Sequence, residues 1–108
     1  MTKPHDDPQI KDLVKRLRSA FDPCTIYLFG SRAAGNAPAD SDFDVMVVVP
    51  ETEETHFDRQ GRGQMALRGF GHSVDLLIYT QAEWDYLSPK RYSVARQVRD
   101  RGIMVHAA

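Results

Sequence analysis

An acidic start to an otherwise apolar strand is the feature that most limits how this chain can fold. The run Ser-Asp-Phe-Asp-Val-Met-Val-Val-Val at 41–49 predicts a strand over 42–49. Successive side chains of a strand point to opposite faces, so Asp42 and Asp44 share one face and Phe43 lies on the other. Two carboxylates about 7 Å apart along a rigid strand repel each other unless a positive charge lies between them. This geometry suits a divalent metal ion.

A third acid, Asp75, interrupts a second apolar run at 73–79 that also predicts a strand. Taken alone, Asp75 fits a buried acid paired with an arginine such as Arg32 or Arg96. However, desolvating an unpaired carboxylate costs several kcal/mol, so three of them on one sheet surface need compensation. If the two strands are neighbours, the three acids converge, and a pair of Mg²⁺ ions compensates them. Two ions about 4 Å apart can clamp the attacking and leaving oxygens of a phosphoryl-transfer reaction.

The turn at 30–35, Gly-Ser-Arg-Ala-Ala-Gly, precedes the acidic strand. Its two glycines have the spacing of a P-loop, but the lysine and hydroxyl residue that must follow are missing. Free backbone N–H groups at such a turn can still hold phosphate, with a hydroxyl from Ser31 and a fork of donors from Arg32. A tight turn carrying a surface arginine explains the same residues, and the turn alone does not decide between the two interpretations.

The remaining segments predict an α/β fold built from helices and a small sheet. Hydrophobic periodicity and capping residues predict helices over 8–21, within about 54–69, from Thr80 through Leu87 and over 92–101, and further strands over 25–29 and 103–106. A helical turn is expected at 32–35 and a loop at 36–40. The helix within 54–69 is expected because a crossover must return the chain to the sheet.

Composition restricts the class of protein. The chain has 108 residues and a formal net charge of -1, which fits one domain over 1–108 and predicts no strong binding to nucleic acid. The single cysteine, Cys24, excludes a disulfide framework and favours a reducing cytoplasm. The four histidines, from His5 to His106, lack ligand spacing. Without a signal peptide or a membrane-spanning run, the protein is expected to be soluble, cytoplasmic and free of membrane contact.

Together these residues resemble the DNA polymerase β nucleotidyltransferase superfamily. The pattern consists of Phe29-Gly30-Ser31, a connector, Ser41-Asp42-Phe43-Asp44 with apolar residues behind it, and Val74-Asp75-Leu76. The chain length and the form Gly-Ser-Arg-x-x-Gly…Ser-Asp-x-Asp are similar to the minimal nucleotidyltransferases, which are small, single-domain and mostly prokaryotic. The resemblance implies the nucleotidyltransferase fold, a small mixed β-sheet with helices packed mainly on one side.

The resemblance also implies roles for individual residues. Gly30 and Ser31 would hold the phosphates of ATP or another nucleoside triphosphate. Asp42 and Asp44 would bind Mg²⁺, with two ions expected and Mn²⁺ able to substitute. Asp75 would complete the metal site and help to deprotonate the acceptor hydroxyl.

Two further residues are implied as triphosphate contacts, and one residue departs from the pattern. The contacts are Arg32 and Ser41. Many relatives carry an arginine just before the second glycine, where this chain has Ala34. The departure removes one cation from the expected phosphate site.

Minimal nucleotidyltransferases are commonly paired with a helical HEPN-domain partner in toxin–antitoxin systems. The resemblance therefore implies an antitoxin that transfers AMP from ATP to a tyrosine of the partner toxin. A non-catalytic module that neutralises its partner by contact alone is the main alternative, and modification of a small molecule is another. The sequence is also compatible with a homo-oligomer.

Overall fold

The computed structural model describes residues 6–35 and 37–108. Its elements, in chain order, are α1 (Pro8–Phe21), β1 (Thr25–Phe29), α2 (Gly30–Ala34), β2 (Phe43–Val49), α3 (His56–Ala66), β3 (Val74–Thr80), α4 (Gln81–Leu87), α5 (Val94–Arg101) and β4 (Ile103–His106). The helices and strands predicted from the sequence are all present, with small shifts at their ends. His5 and Asn36 lie outside the described residues, so the loop predicted from 36 onward is observed only from Ala37.

The four strands form one mixed sheet in the order β3-β2-β1-β4. β1 runs antiparallel to both β2 and β4, whereas β2 and β3 are parallel. A parallel pair cannot be joined by a tight turn, and α3 supplies the crossover between β2 and β3. The expected crossover helix is therefore confirmed, as is the adjacency of the two acidic strands.

The two long helices, α1 and α3, cover one face of the sheet. α1 begins as predicted, because the Asp7 side chain accepts a hydrogen bond from the Gln9 N–H and Pro8 occupies the first turn. α3 lies close against β3 at Gly63, where a Cβ atom would come within 2.6 Å of Leu76 and 2.7 Å of Ile78. These contacts close the larger of the two hydrophobic clusters.

The two short helices, α4 and α5, lie over the other face. Trp84 of α4 stacks on Tyr27 of β1 with ring centroids 5.0 Å apart, and Val98 of α5 is buried in the same smaller cluster as Met46. The predicted capping box is present, since the Thr80 N–H donates to Glu83 and the Glu83 N–H donates to Thr80. The helices of this second layer are shorter than α1 and α3.

The outer edge of β3 is covered by a side chain of α3. The Gln60 amide donates to the Leu76 carbonyl at 2.9 Å and accepts from the Ile78 N–H at 3.0 Å. Such caps satisfy an otherwise open strand edge. Across the part of the chain that the structure describes, no helix has both the length and the apolar character needed to cross a bilayer.

The mixed sheet with its helical layers confirms the predicted α/β fold class.

Candidate active site

The structure brings the predicted acids to one end of the sheet. β2 and β3 pair so that Asp44 and Asp75 are direct register partners, and both side chains belong to the face that α4 and α5 partly cover. The sequence predicted Asp42 within β2. In the structure the strand begins at Phe43, and Asp42 lies one residue before it. Neighbouring strands are about 4.8 Å apart, so register partners on a parallel pair hold their side chains close together.

The electrostatics of Asp44 reflect this arrangement. Its pKa is raised, first because partial burial penalises the charged form and then because the carboxylates of Asp75 and Asp42 repel it. Asp44 is half-buried, whereas Asp42 and Asp75 are exposed. Asp44 is therefore the member of the set whose charge has most need of a positive partner.

That positive partner does not come from the described part of the protein. Neither of the arginines considered for Asp75 contacts it, because Arg96 pairs with Asp100 at 2.7 Å and Arg32 binds backbone carbonyls. The interpretation of Asp75 as a buried acid paired with either arginine is thus wrong. Within 6–35 and 37–108, no ion pair or side-chain hydrogen bond neutralises Asp42, Asp44 or Asp75.

Gly30 allows the turn to approach Asp44. Its φ of 72° is left-handed, a conformation that favours glycine, and a Cβ atom at this position would lie 2.1 Å from Oδ2 of Asp44. Phe29, just before it, pairs with Asp44 across β1 and β2. The turn predicted from its glycines therefore forms the wall beside the central acid.

Arg32 holds the chain that leads into the acidic strand. Its guanidinium donates to the carbonyls of Ala39 at 3.0 Å and Ser41 at 2.7 Å, and it lies 3.9 Å from the centre of the Phe43 ring. These contacts occupy most of its donors and fix the segment that delivers Asp42. Ser41 takes part through its carbonyl oxygen. The predicted triphosphate contacts of Arg32 and Ser41 remain predictions.

A cavity of about 590 Å³ opens beside these residues, and we call it the Gly30 pocket. It is lined by Phe29, Gly30, Ser31, Ala34, Asp44, Gln97 and Arg101. Three predicted site residues therefore share one cavity, whereas Asp42, Asp75, Arg32 and Ser41 are not among its lining residues.

Two residues of this lining, Gln97 and Arg101, were not predicted as site residues. Both belong to α5, which the sequence predicted only as a helix. β4 pairs with β1 so that Ile103 is opposite Leu28, and this pairing carries the end of α5 to the end of β1. The exposed cation in the last turn of α5, directly before Gly102, is the signal that could have indicated Arg101.

The donor set fits Mg²⁺, provided that a substrate supplies further ligands. In the described residues, no three carboxylate, imidazole or thiol groups are gathered so as to hold a metal ion by themselves. Mg²⁺ is usually bound by one or two carboxylates together with water and substrate phosphates rather than by an all-protein cage. Unpaired carboxylates beside a pocket are donors of the right kind.

Comparison with known proteins agrees with this geometry. The model of the family described as "Nucleotidyltransferase domain" matches residues 10–100. No curated protein sequence matches the chain significantly.

Solved structures share the fold. A toxin–antitoxin structure with AMP-PNP superposes with a TM-score of 0.68 at 23% identity, covering 94% of this chain and 75% of the other. A protein from Sulfolobus solfataricus assigned as a nucleotidyltransferase gives 0.59 at 26% identity, covering 96% and 87%.

A further neighbour is a complex of tri-AMPylated Shewanella oneidensis HEPN toxin with MNT antitoxin. It gives a TM-score of 0.58 at 22% identity, covering 93% of this chain and 73% of the other. At these identities, the structural likeness to both toxin–antitoxin complexes shows a common fold.

The family match spans most of the chain, and the resemblance inferred from the residues is confirmed. This chain is a nucleotidyltransferase and belongs to the nucleotidyltransferase domain family.

Proposed function

We propose that this protein transfers AMP from ATP, in the presence of Mg²⁺, to a tyrosine hydroxyl of a HEPN-domain partner and thereby acts as an antitoxin. The observation that carries the proposal is the pairing of Asp44 with Asp75 across parallel strands, beside a pocket whose wall is the Gly30 turn. Support for the partner comes from the toxin–antitoxin neighbours, one of which contains an AMPylated HEPN toxin. The proposed setting is the cytoplasm.

The Gly30 pocket would bind the nucleotide. Ser31 and the backbone at Gly30 would contact the triphosphate on one side, and the Arg101 guanidinium would oppose its negative charge from α5. The volume of about 590 Å³ lies within the ordinary range for ligand sites. Asp42, Asp44 and Asp75 would hold Mg²⁺, which neutralises charge on the phosphates and the leaving group when bound.

In the transfer itself, the tyrosine oxygen would attack the α-phosphorus of ATP. A new P–O bond forms to the tyrosine, the P–O bond to the bridging α–β oxygen breaks, and pyrophosphate leaves. The hydroxyl proton would pass to the carboxylate of Asp75, which is exposed and free of ion pairs within the described residues. Orientation by Asp44 and the Gly30 turn would then keep the α-phosphate in line with the acceptor.

The test uses ATP labelled at either the α- or the γ-phosphate, with Mg²⁺, the purified protein and the product of the adjacent gene as acceptor. We expect label to reach the acceptor only from the α position. Asp44→Asn should reduce transfer at least about 100-fold, because even outer-shell changes at metal sites cost 10–100-fold. Asp40→Asn is the matched control, since Asp40 is an exposed acid in the loop before β2.

Two results would contradict the proposal. Label arriving from the γ position would indicate phosphorylation instead of AMP transfer. A tight complex with the partner, without transfer of either label, would favour neutralisation by contact alone.

A further inference from the structure

Positive charge is concentrated around α5. Residues 90–101 contain five of the chain's fourteen Lys and Arg residues and one of its fifteen Asp and Glu residues. This segment therefore has a formal charge of +4, while the rest of the chain carries -5. Such a local excess in a nearly neutral protein indicates a surface that attracts a negatively charged group.

A second cavity, of about 370 Å³, lies within this positive segment, and we call it the Arg91 cleft. It is lined by Arg91, Tyr92, Ser93, Val94, Arg96, Gln97, Asp100 and Arg101. The Tyr92 side chain is 92% exposed, although large aromatic side chains usually find cover. An exposed tyrosine between arginines is typical of a protein-binding surface.

Only some of the cations in this segment are free to bind a ligand. Arg96 donates to Asp100 at 2.7 Å and to the Pro89 carbonyl at 3.2 Å, and the Lys90 ammonium lies over the Tyr86 ring. The negative charge of Asp100 is compensated by this ion pair, and the hydrogen bond from Arg96 is the largest of the effects that lower the pKa of Asp100.

The other two guanidiniums that line the cleft, those of Arg91 and Arg101, form no ion pair or side-chain hydrogen bond with the residues that the structure describes. They are therefore available to a ligand.

The Arg91 cleft adjoins the Gly30 pocket. Gln97 and Arg101 line both cavities, so α5 forms a shared wall between them. A molecule seated in the cleft would therefore lie next to the pocket proposed for the nucleotide.

We propose that the Arg91 cleft docks an acidic segment of the acceptor protein and presents its hydroxyl to the Gly30 pocket. This inference rests on the proposed function and names the chemistry of the docking sequence. Arginine binds carboxylates in a bidentate manner, and the exposed Tyr92 ring supplies apolar contact. A protein segment fits better than a nucleic acid, because the charge of -5 on the rest of the chain opposes a long polyanion.

Binding can be measured separately from transfer with a labelled peptide. The probe is a fluorescein-labelled peptide with one tyrosine flanked by glutamates, compared with the same peptide carrying glutamines, in fluorescence anisotropy against Asp44→Asn protein. We expect tighter binding of the glutamate peptide. In the same background, Arg91→Ala should raise its Kd about threefold to fivefold, as for an exposed ion pair.

Arg99→Ala is the control, because Arg99 is exposed but does not line the cleft. Arg99 contacts the cleft residue Asp100 at 3.4 Å, and Asp100 keeps its shorter ion pair of 2.7 Å with Arg96 in this variant. It should leave the Kd unchanged. Equal binding of the glutamate and glutamine peptides would overturn the inference, as would equal effects of the two arginine variants. Preferential binding of a single-stranded RNA, weakened by Arg91→Ala, would overturn it in favour of a nucleic-acid surface.

The transfer reaction provides a second readout with wild-type protein. If AMP is transferred to the adjacent gene product but Arg91→Ala and Arg99→Ala have the same kcat/KM, the proposed function stands and the docking inference fails. If no transfer occurs but glutamate-peptide binding depends on Arg91, the acidic docking site stands, while the proposed reaction fails and with it the presentation of a hydroxyl to the Gly30 pocket.

Discussion

The face of the sheet beneath α1 and α3 and the face beneath α4 and α5 take alternate residues from the same strands. In β2, Phe43, Val45, Val47 and Val49 all enter the larger hydrophobic cluster. The residues between them change character along the strand, from Asp44 to the buried Met46 and Val48. The first face is apolar along the whole of β2. The second face becomes polar at Asp44, where the cover of α4 and α5 ends, and we call this part of the sheet the open end. This contrast separates the residues that hold the fold from those assigned to chemistry.

The two faces should also differ in whether a mutation affects the stability or the activity of the protein. The larger cluster is closed by two long helices and contains many fully buried side chains. The smaller cluster has three buried members in the described chain, together with half-buried aromatic side chains at its margin. We therefore expect mutations on the first face to affect stability and mutations at the open end of the second to affect activity.

The largest expected effect on stability comes from a pair of neighbours in β3. Ile78 is fully buried in the larger cluster, while Leu77 points to the other face and is half-buried. Ile78→Ala should lower the free energy of unfolding by about 2–5 kcal/mol. Leu77→Ala should cost about 1 kcal/mol, since less apolar surface is lost. Urea denaturation measures both, and equal losses would show that the two faces contribute alike.

A smaller effect on stability, with a large effect on activity, is expected at the glycine turn. Gly30 and Gly35 both have positive φ, so backbone strain alone should cost about 1–2 kcal/mol for alanine at either position. A Cβ atom at Gly30 would collide with Asp44, whereas at Gly35 it would meet nothing within 4 Å. Gly30→Ala should therefore reduce transfer about 100-fold, as for a misplacement of about 1 Å.

Gly35→Ala is the control for the strain alone and should keep most of the activity. If both variants lose activity equally, the close approach of the turn to Asp44 is not what the reaction requires. Labelled-ATP transfer, with thermal denaturation of the same samples, distinguishes these outcomes.

The smallest effect is expected from the charge of Asp44 on stability. Because its folded pKa is raised above the unfolded value of about 3.9, ionised Asp44 lowers the stability of the fold. This penalty is fully present above the folded pKa, declines as the pH falls below it, and is gone below the unfolded value. Without Mg²⁺ at pH 8, Asp44→Asn should thus have a higher Tm than wild type, and the difference should shrink toward pH 4. A lower Tm for Asp44→Asn at pH 8 would contradict this.

The pairing of Asp44 with Asp75 could be predicted, because it depends on strand parity and on the cost of burying charge. Asp44 and Asp75 each interrupt an apolar run, and the two carboxylates can share one compensating charge only if their strands are neighbours. The position of Asp42 was predicted less accurately, because β2 begins at Phe43, one residue later than the sequence pattern suggested.

Other parts of the site depend on contacts that the sequence does not display. Arg32 binds the carbonyls of Ala39 and Ser41, and a backbone partner leaves no trace in residue type. Gln97 and Arg101 reach the pocket only because β4 pairs with β1. A short final strand was predicted, but its neighbour in the sheet was not.

The most direct test of the open end as a metal–nucleotide site is calorimetric titration with α,β-methylene ATP, which cannot be cleaved at the α–β bridge. Wild type, Asp44→Asn and the control Asp40→Asn would each be titrated with and without Mg²⁺. We predict that Mg²⁺ strengthens nucleotide binding to wild type and Asp40→Asn and has little effect on Asp44→Asn. Equal Mg²⁺ dependence in all three proteins would contradict the assignment of Asp44 and the active site built around it.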